Sequence, residues 1–286
     1  PDEFAEWSIP GALNLPLGEV EARRSTLDAS RRVVAVCLGG NRAERAAGLL
    51  EAGGLEVDVL AGGMGAWSTV ADEVEATFGP FRLVQLRRRG KGCLSYVVEA
   101  AGSALVVDAS LDTDRYLAIA ERLGARIVAV TDTHLHADHV SGGRRLAAAT
   151  GATLTLNADD AFEYEFQPLQ DLDAIELGGG HRVEVTVVPT PGHTTGSTVF
   201  SLEGLAILTG DTVFLDSVGR PDLADRAEEF ARSLYRSLRE RVLAFDDAAV
   251  VLPGHFSPRT EVKAGELVAA TLGELRTTLP PLAMGE

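Results

Sequence analysis

The run Thr133-His134-Leu135-His136-Ala137-Asp138-His139 places four ligand-type side chains within six residues. Imidazole and carboxylate suit zinc, iron or manganese, and a turn of this composition cannot form a hydrophobic core. Three further candidates stand in the later runs Pro191-Gly192-His193-Thr194, Thr209-Gly210-Asp211-Thr212 and Pro253-Gly254-His255. In each a glycine precedes the ligand, so the backbone can turn sharply and approach the site closely. Five of the six histidines thus fall at expected strand ends or just after them, a distribution that packing does not explain. The sixth, His181, follows Gly178-Gly179-Gly180, opens a strand and reads as structural.

A second chemistry is suggested nearer the start. Cys37-Leu38-Gly39-Gly40-Asn41-Arg42 precedes a helical run, so backbone N–H groups and a helix N-terminus converge on a cysteine. Such a cradle stabilises a thiolate or a bound oxyanion and lowers the thiol pKa.

The elements that must position these residues follow from periodicity. Arg32 to Cys37 is a β-branched run, Arg42 to Leu50 has helical spacing, and Leu55 to Leu60 forms a second strand, which predicts a parallel pair with a right-handed crossover. Ala61 to Trp67 reads as flexible turn residues ending on one large aromatic, with a boundary near Gly79-Pro80. Strands are then expected at 81–86, 94–98, 105–108, 126–130, 152–156, 182–188, 198–202, 205–208 and 248–252. Helices are expected at 112–123 and 141–149, with a long amphipathic one at 224–243. The interleaving predicts an α+β fold, two sheets between helical layers.

The chain has 286 residues, 45% hydrophobic and 24% charged, enough for one or two domains with a substantial core. With 26 Lys+Arg against 42 Asp+Glu, the net charge of −16 argues against nucleic-acid and membrane partners. Cys37 and Cys93 lie in contexts too different for a disulfide framework, and a reducing, cytoplasmic compartment is expected. No apolar run approaches the roughly 20 residues of a membrane helix and no secretory leader is visible. The chain opens at Pro1 rather than Met, so the sequence does not fix what precedes it.

Taken together, His-x-His-x-Asp-His, Pro-Gly-His-Thr, Thr-Gly-Asp-Thr and the late Gly-His resemble the metallo-β-lactamase superfamily over residues 81 to 260. The resemblance implies an αββα sandwich with the metal site at one edge. That superfamily runs several chemistries on one ligand set, and two stay open here. One is similar to glyoxalase II: two zinc ions held by His134, His136, Asp138, His139, His193, Asp211 and His255, with hydroxide attacking a glutathione thioester. The other is the persulfide dioxygenase group. Asp216-Ser217-Val218-Gly219-Arg220-Pro221-Asp222-Leu223 resembles its Gly-Arg-Pro-Asp-Leu run, where glyoxalase II tends to have Gly-Arg-Phe-Phe-Glu. Likewise Gly92-Cys93-Leu94-Ser95-Tyr96 looks like the opening strand of its bacterial members.

That second resemblance implies one Fe(2+) per chain on His134, His193 and Asp211, two histidines and a carboxylate with the other positions open. His136, Asp138, His139 and His255 would then orient ligands and water. Arg220 would hold a substrate carboxylate or form an ion pair with an acidic neighbour. The implied reaction oxidises a low-molecular-weight thiol persulfide, such as glutathione persulfide, with O₂ to sulfite and thiol.

Residues 5 to 70 resemble the carboxyl-terminal part of a rhodanese domain, through Ile9-Pro10-Gly11-Ala12-Leu13-Asn14 and Leu60-Ala61-Gly62-Gly63-Met64-Gly65-Ala66-Trp67. The resemblance implies sulfur transfer through a Cys37 persulfide, with the loop from Cys37 to Arg42 as its cradle. Trp7-Ser8 departs from the usual Gly-His, and the domain's first strand and helix are absent. The expected architecture is therefore a partial α/β rhodanese-like domain, 1–75, followed by a metallo-β-lactamase-fold domain, 76–286. The leading expectation is an iron-dependent persulfide dioxygenase coupled to sulfur transfer. A dizinc thioester hydrolase and a non-catalytic metal-binding sulfur carrier or sensor are the alternatives, and a homodimer stays open.

Overall fold

The protein is described by a computed structural model covering residues 2–178, 183–223, 226–257 and 260–283, so His181 lies outside the described residues. It divides into two compact units, Pro1–Asp72 with Arg88–Lys91, and Glu73–Arg87 with Gly92–Glu286.

The first unit contains α1 (Asp2–Glu6), α2 (Val20–Arg23), β1 (Val33–Ala35), α3 (Asn41–Glu51), β2 (Val57–Val59) and α4 (Gly63–Trp67). Strand, helix and strand give the expected parallel pair, with Val33 opposite Val57. Helix α3 buries Ala43, Ala47 and Leu50, spaced by four and three residues on one stripe. Leu50 packs with Val20 and Leu55 to form a small core. The glycine-rich run expected as a flexible turn is instead helix α4. A Cβ at Gly63 would lie 2.1 Å from the Cys37 carbonyl, so this glycine serves close packing against the cysteine loop.

In the second unit, seven strands form one sheet in sequence order: β3 (Asp72–Phe78), β4 (Phe81–Arg88), β5 (Cys93–Ala100), β6 (Ser103–Val107), β7 (Arg126–Thr131), β8 (Thr153–Asn157) and β9 (Gln167–Leu169). Six more form the other: β10 (Ala174–Leu177), β11 (Val183–Pro189), β12 (Thr198–Leu202), β13 (Ala206–Gly210), β14 (Val250–Pro253) and β15 (Ala270–Thr271). Alternation along the strands builds the layers. Leu94, Tyr96 and Val98 of β5 face Val185, Val187, Phe200 and Leu208 across the inter-sheet core, whereas Val97 points outward. Outside the first sheet lie α5 (Thr113–Leu123) and α6 (Gly143–Thr150), which contribute Tyr116, Ile119 and Leu146 to a second core. Outside the other lie α7 (Ala227–Arg236), α8 (Leu272–Thr278) and α9 (Pro280–Ala283), where Leu234, Leu272 and Leu282 cover Val199, Ile207 and Val251. Each such fully buried aliphatic side chain is worth roughly 1.5–3 kcal/mol relative to exposure. The result is the expected αββα sandwich.

Two details differ from the sequence reading. Gly79-Pro80 is no boundary: it joins β3 to β4 within one sheet, because Asp72–Phe78 alternates and buries Val74. The long helix expected at 224–243 is helical from Ala227 to Arg236, then widens into a π-turn at Ser237–Arg241 and a 3₁₀ turn at Val242–Ala244. Among the described residues, no helix is long and apolar enough to cross a membrane.

Candidate metal centre

Strands β7, β11, β13 and β14 end at one edge of the sandwich and deliver the histidine and aspartate loops there. Parallel pairing of β13 with β14, offset by a bulge between Leu208 and Gly210, sets Asp211 and His255 side by side. The two sheets are tied at this edge by Thr198 N–H donating to the Thr133 carbonyl at 2.8 Å. Gly210 has φ +50, and a Cβ there would meet Thr133 Oγ1 at 2.4 Å. Only glycine lets the strand turn while touching the histidine loop.

The ligand atoms of His134, His193 and Asp211 all lie within 4.8 Å of one another. Asp211 Oδ2 is 3.8 Å from His134 Nε2 and 3.5 Å from His193 Nε2. Donors held about 2.1 Å from one ion stand about 3.0–3.5 Å apart, so a small inward movement would seat a metal. The rings are pre-oriented from behind. His134 Nδ1 is 2.9 Å from Thr133 Oγ1, itself 3.0 Å from Asp108 Oδ2. His193 Nδ1 is 3.1 Å from the Arg220 carbonyl and donates to it, which leaves Nε2 as the free acceptor. Burial, followed by the neighbouring histidines, holds the His134 pKa well below the usual imidazole range, which disfavours its protonated form.

His136 is placed differently. Its Nε2 is 3.1 Å from Asp108 Oδ1, and it groups with Asp108 and Asp132. Burial opposes its charge, but the Asp108 carboxylate outweighs that and raises the pKa. Its Nδ1 is buried and, among the described residues, has no hydrogen-bond partner. A metal ion would satisfy such an orphaned nitrogen. With three convergent donors and this atom, the residues present fit a metal.

Asp138, His139 and His255 gather with Cys93 beside the first cluster. Asp138 Oδ2 is 3.0 Å from His255 Nε2, and Asp138 Oδ1 is 3.2 Å from His139 Nδ1. Burial works against the Asp138 charge, yet the two imidazoles hold its carboxyl far below the usual range. Burial likewise disfavours protonated His255, but Asp138 and Asp211 push its pKa up to about 12.

Arg220 does not present its guanidinium to the cluster. Its Nε and second terminal nitrogen pair with Asp222 at 2.7 and 3.0 Å, with the side chain 64% exposed. The residue meets the centre through its carbonyl, beside His193 Nδ1. The same run packs tightly, since a Cβ at Gly219 would lie 2.2 Å from the Asp211 carbonyl.

Three carboxylates went unnoticed in the sequence. Asp108 holds Thr133 N–H at 2.6 Å and stands at φ +57, a conformation rare for a residue with a side chain. Asp132 accepts from Ser141 Oγ at 3.0 Å, and burial raises its pKa to about 6. Asp160 is the most connected. Its Oδ2 accepts from Leu135 N–H at 2.7 Å and Thr194 Oγ1 at 2.9 Å. Its Oδ1 accepts from Gly196 N–H at 2.7 Å and Thr195 Oγ1 at 3.2 Å. One buried carboxylate thus joins the His134 loop to the His193 loop.

In the first unit, Cys37 Sγ accepts from Gly40 N–H at 3.1 Å. Burial alone would raise its pKa, but the N–H groups of residues 43, 40, 39 and 42 lower it. Arg42 pairs with Glu3 at 2.8 Å and also places its charge near the sulfur. Cys37 and Cys93 are both free thiols.

Comparison with known proteins agrees with this geometry. The metallo-beta-lactamase superfamily model matches residues 88–255, and the rhodanese-like domain model matches residues 1–69. The chain is 36% identical over 176 residues to a hydroxyacylglutathione hydrolase of Anaeromyxobacter dehalogenans, covering 59% of this chain and 63% of that relative, less than two thirds of its length. It is 27% identical to the mitochondrial persulfide dioxygenase ETHE1 of Bos taurus, covering 63% of this chain and 67% of the other. The crystal structure of ETHE1 from Myxococcus xanthus superposes with a TM-score of 0.61 at 27% identity, covering 72% of this chain and 85% of that one.

Proposed function

We propose that this chain, which belongs to the metallo-beta-lactamase superfamily, is an iron-dependent persulfide dioxygenase joined to a rhodanese-like sulfur-transfer domain. The observation that carries the reading is the convergence of two histidines and one carboxylate, His134, His193 and Asp211, as a single three-donor cluster. Those three residues would hold ferrous iron, which would supply redox chemistry between a persulfide sulfur and O₂. The chain's own residues supply orientation. Thr133 and the Arg220 carbonyl aim the two imidazoles, and Asp160 holds their loops at a fixed separation. Asp138, His139 and His255 offer polar groups on one side for ordering water.

The overall reaction balances as RSS⁻ + O₂ + H₂O giving RSH, SO₃²⁻ and H⁺, with the outer sulfur oxidised and dioxygen reduced. The first unit fits the same currency. A Cys37 persulfide can pass its outer sulfur to sulfite, giving thiosulfate and the Cys37 thiolate, which the backbone N–H groups stabilise. The relatedness to a protein named persulfide dioxygenase supports the reading, as does the Gly219-Arg220-Pro221-Asp222 run. Metal analysis tests it: about one iron per chain in the three-donor site is expected, and two zinc ions with no iron would overturn it.

A dizinc thioester hydrolase is the second reading. The orphaned Nδ1 of His136 favours it, because that atom could add a third imidazole to the first ion. The 36% identity to a protein named hydroxyacylglutathione hydrolase points the same way.

A further inference from the structure

The cradle around Cys37 is built for an anion, and a carboxylate of the chain itself already occupies part of it. Within the loop from Cys37 to Arg42 the sole charged side chain is Arg42, in the first turn of α3. Its guanidinium reaches the Cys37 sulfur and also donates to Glu3 Oε2 at 2.8 Å. The backbone N–H groups that converge on the sulfur carry only partial charge. Arg42 is therefore the loop's one full charge with which an incoming oxyanion can pair, and Glu3 holds it.

Helix α1 presents that carboxylate. It is five residues long and buries none of them, so neither helix propensity nor a core of its own fixes its position. Trp7 anchors it instead. The Trp7 backbone N–H donates to the Glu3 carbonyl at 3.0 Å, and its indole N–H donates to the Gly90 carbonyl at 2.6 Å. Lys91 lies over the same indole, 5.0 Å from the ring centroid. Gly90 and Lys91 belong to the same compact unit as Cys37. Trp7 thus holds one end of α1, and the Glu3–Arg42 pair holds the other. Apart from Arg42, the loop offers an incoming molecule Leu38, which is 59% exposed, two glycines and Asn41.

We propose that Glu3 is a specificity-determining residue of the Cys37 cradle, a built-in competitor for the oxyanion seat on Arg42. The inference rests on Cys37 as the sulfur carrier. In transfer to sulfite, the lone pair of the sulfite sulfur attacks the outer sulfur of the Cys37 persulfide. The bond from that sulfur to Cys37 breaks with its electron pair, so Cys37–S–S⁻ + SO₃²⁻ gives Cys37–S⁻ + S₂O₃²⁻. The dianion that enters and the dianion that leaves both compete with Glu3 for Arg42. Transfer to a thiol, Cys37–S–S⁻ + RSH giving Cys37–S⁻ + RSSH, brings no oxyanion to the seat. Glu3 therefore biases the cradle away from sulfur oxyanions and toward low-molecular-weight thiols and their persulfides. Arg42 and Glu3 side chains are 52% and 72% exposed, so the pair is weak enough for a substrate to replace it, and it screens anions without shutting them out.

The test is alkylation of Cys37 in the full chain, followed at that residue by mass spectrometry, with iodoacetate as the anionic probe and iodoacetamide as the neutral one. The ratio of the two rates cancels the thiolate population, which both reagents share. Glu3→Gln should raise the iodoacetate-to-iodoacetamide ratio about two- to fivefold, the range an exposed ion pair allows. Glu6→Gln makes the same charge change on the same helix and should leave the ratio unchanged. In an Arg42→Gln background, Glu3→Gln should lose its effect. An unchanged ratio in Glu3→Gln, an equal rise in Glu6→Gln, or a rise that persists without Arg42 would each overturn the proposal. In sulfur transfer from thiosulfate to cyanide, Glu3→Gln should lower KM for thiosulfate by a similar factor and change kcat less, and an unchanged KM would likewise overturn it. Absence of any transfer would refute Cys37 as the carrier, while the alkylation ratio would still decide whether Glu3 competes for Arg42.

Discussion

Asp160→Asn is an almost isosteric change with an unequal consequence. The carboxylate takes one backbone N–H on each oxygen, Leu135 on Oδ2 and Gly196 on Oδ1. An asparagine has one oxygen and one NH₂, so either flip sets its NH₂ against one of those N–H donors. The threonine hydroxyls can rotate to accept, but a backbone N–H cannot. One buried N–H is left unsatisfied at about 1–3 kcal/mol, and the charge-assisted character of the remaining bonds is lost. We expect the metal-free protein to lose about 2 kcal/mol in urea unfolding. Because the two strained segments carry His134 and His193, metal affinity should fall about 10-fold or more in a chelator competition. Asp160→Ala, which removes all four acceptor contacts, should be worse on both measures. Unfolding unchanged to within about 0.5 kcal/mol, with metal affinity within about twofold, would refute the claim that this carboxylate joins the loops.

Asp211→Ala removes the donor that faces both His134 and His193. It should abolish iron retention after desalting, and retained iron would refute its role as a ligand. Cys37 should alkylate with iodoacetamide at a rate that persists as pH falls below the ordinary thiol pKa of about 8.5, because its folded-state pKa is depressed and thiolate survives at lower pH. A profile centred at or above that value would contradict the cradle. Cys37→Ser should eliminate sulfur transfer from thiosulfate to cyanide, and residual transfer would place the sulfur carrier elsewhere.

What could be read in the sequence was what is local in the chain. The His134 to His139 run and the glycine-preceded His193, Asp211 and His255 announced a metal because each motif sits on a few consecutive residues, and the strands feeding them alternate strongly. The supporting contacts come from residues distant in sequence. Asp160 matters only because three loops meet on it, and Cys93 reaches the site only through the bridge of β5 to His255. His136 looks equivalent to His134 in sequence, and only the positive φ of Asp108 carries a carboxylate beneath it. Helix α4 hid behind its glycines, which are there for approach to the Cys37 loop. Strands β9 and β15, three and two residues long, are too short to show a period.

The most direct measurement is oxygen consumption by the iron-loaded protein given glutathione persulfide. Uptake of one O₂ per persulfide is expected, with sulfite formed in equal amount and with no uptake when zinc replaces iron. Absence of uptake with iron bound, across several thiol persulfides, would contradict it, and thioester hydrolysis by the zinc-loaded protein would assign the site to the second reading.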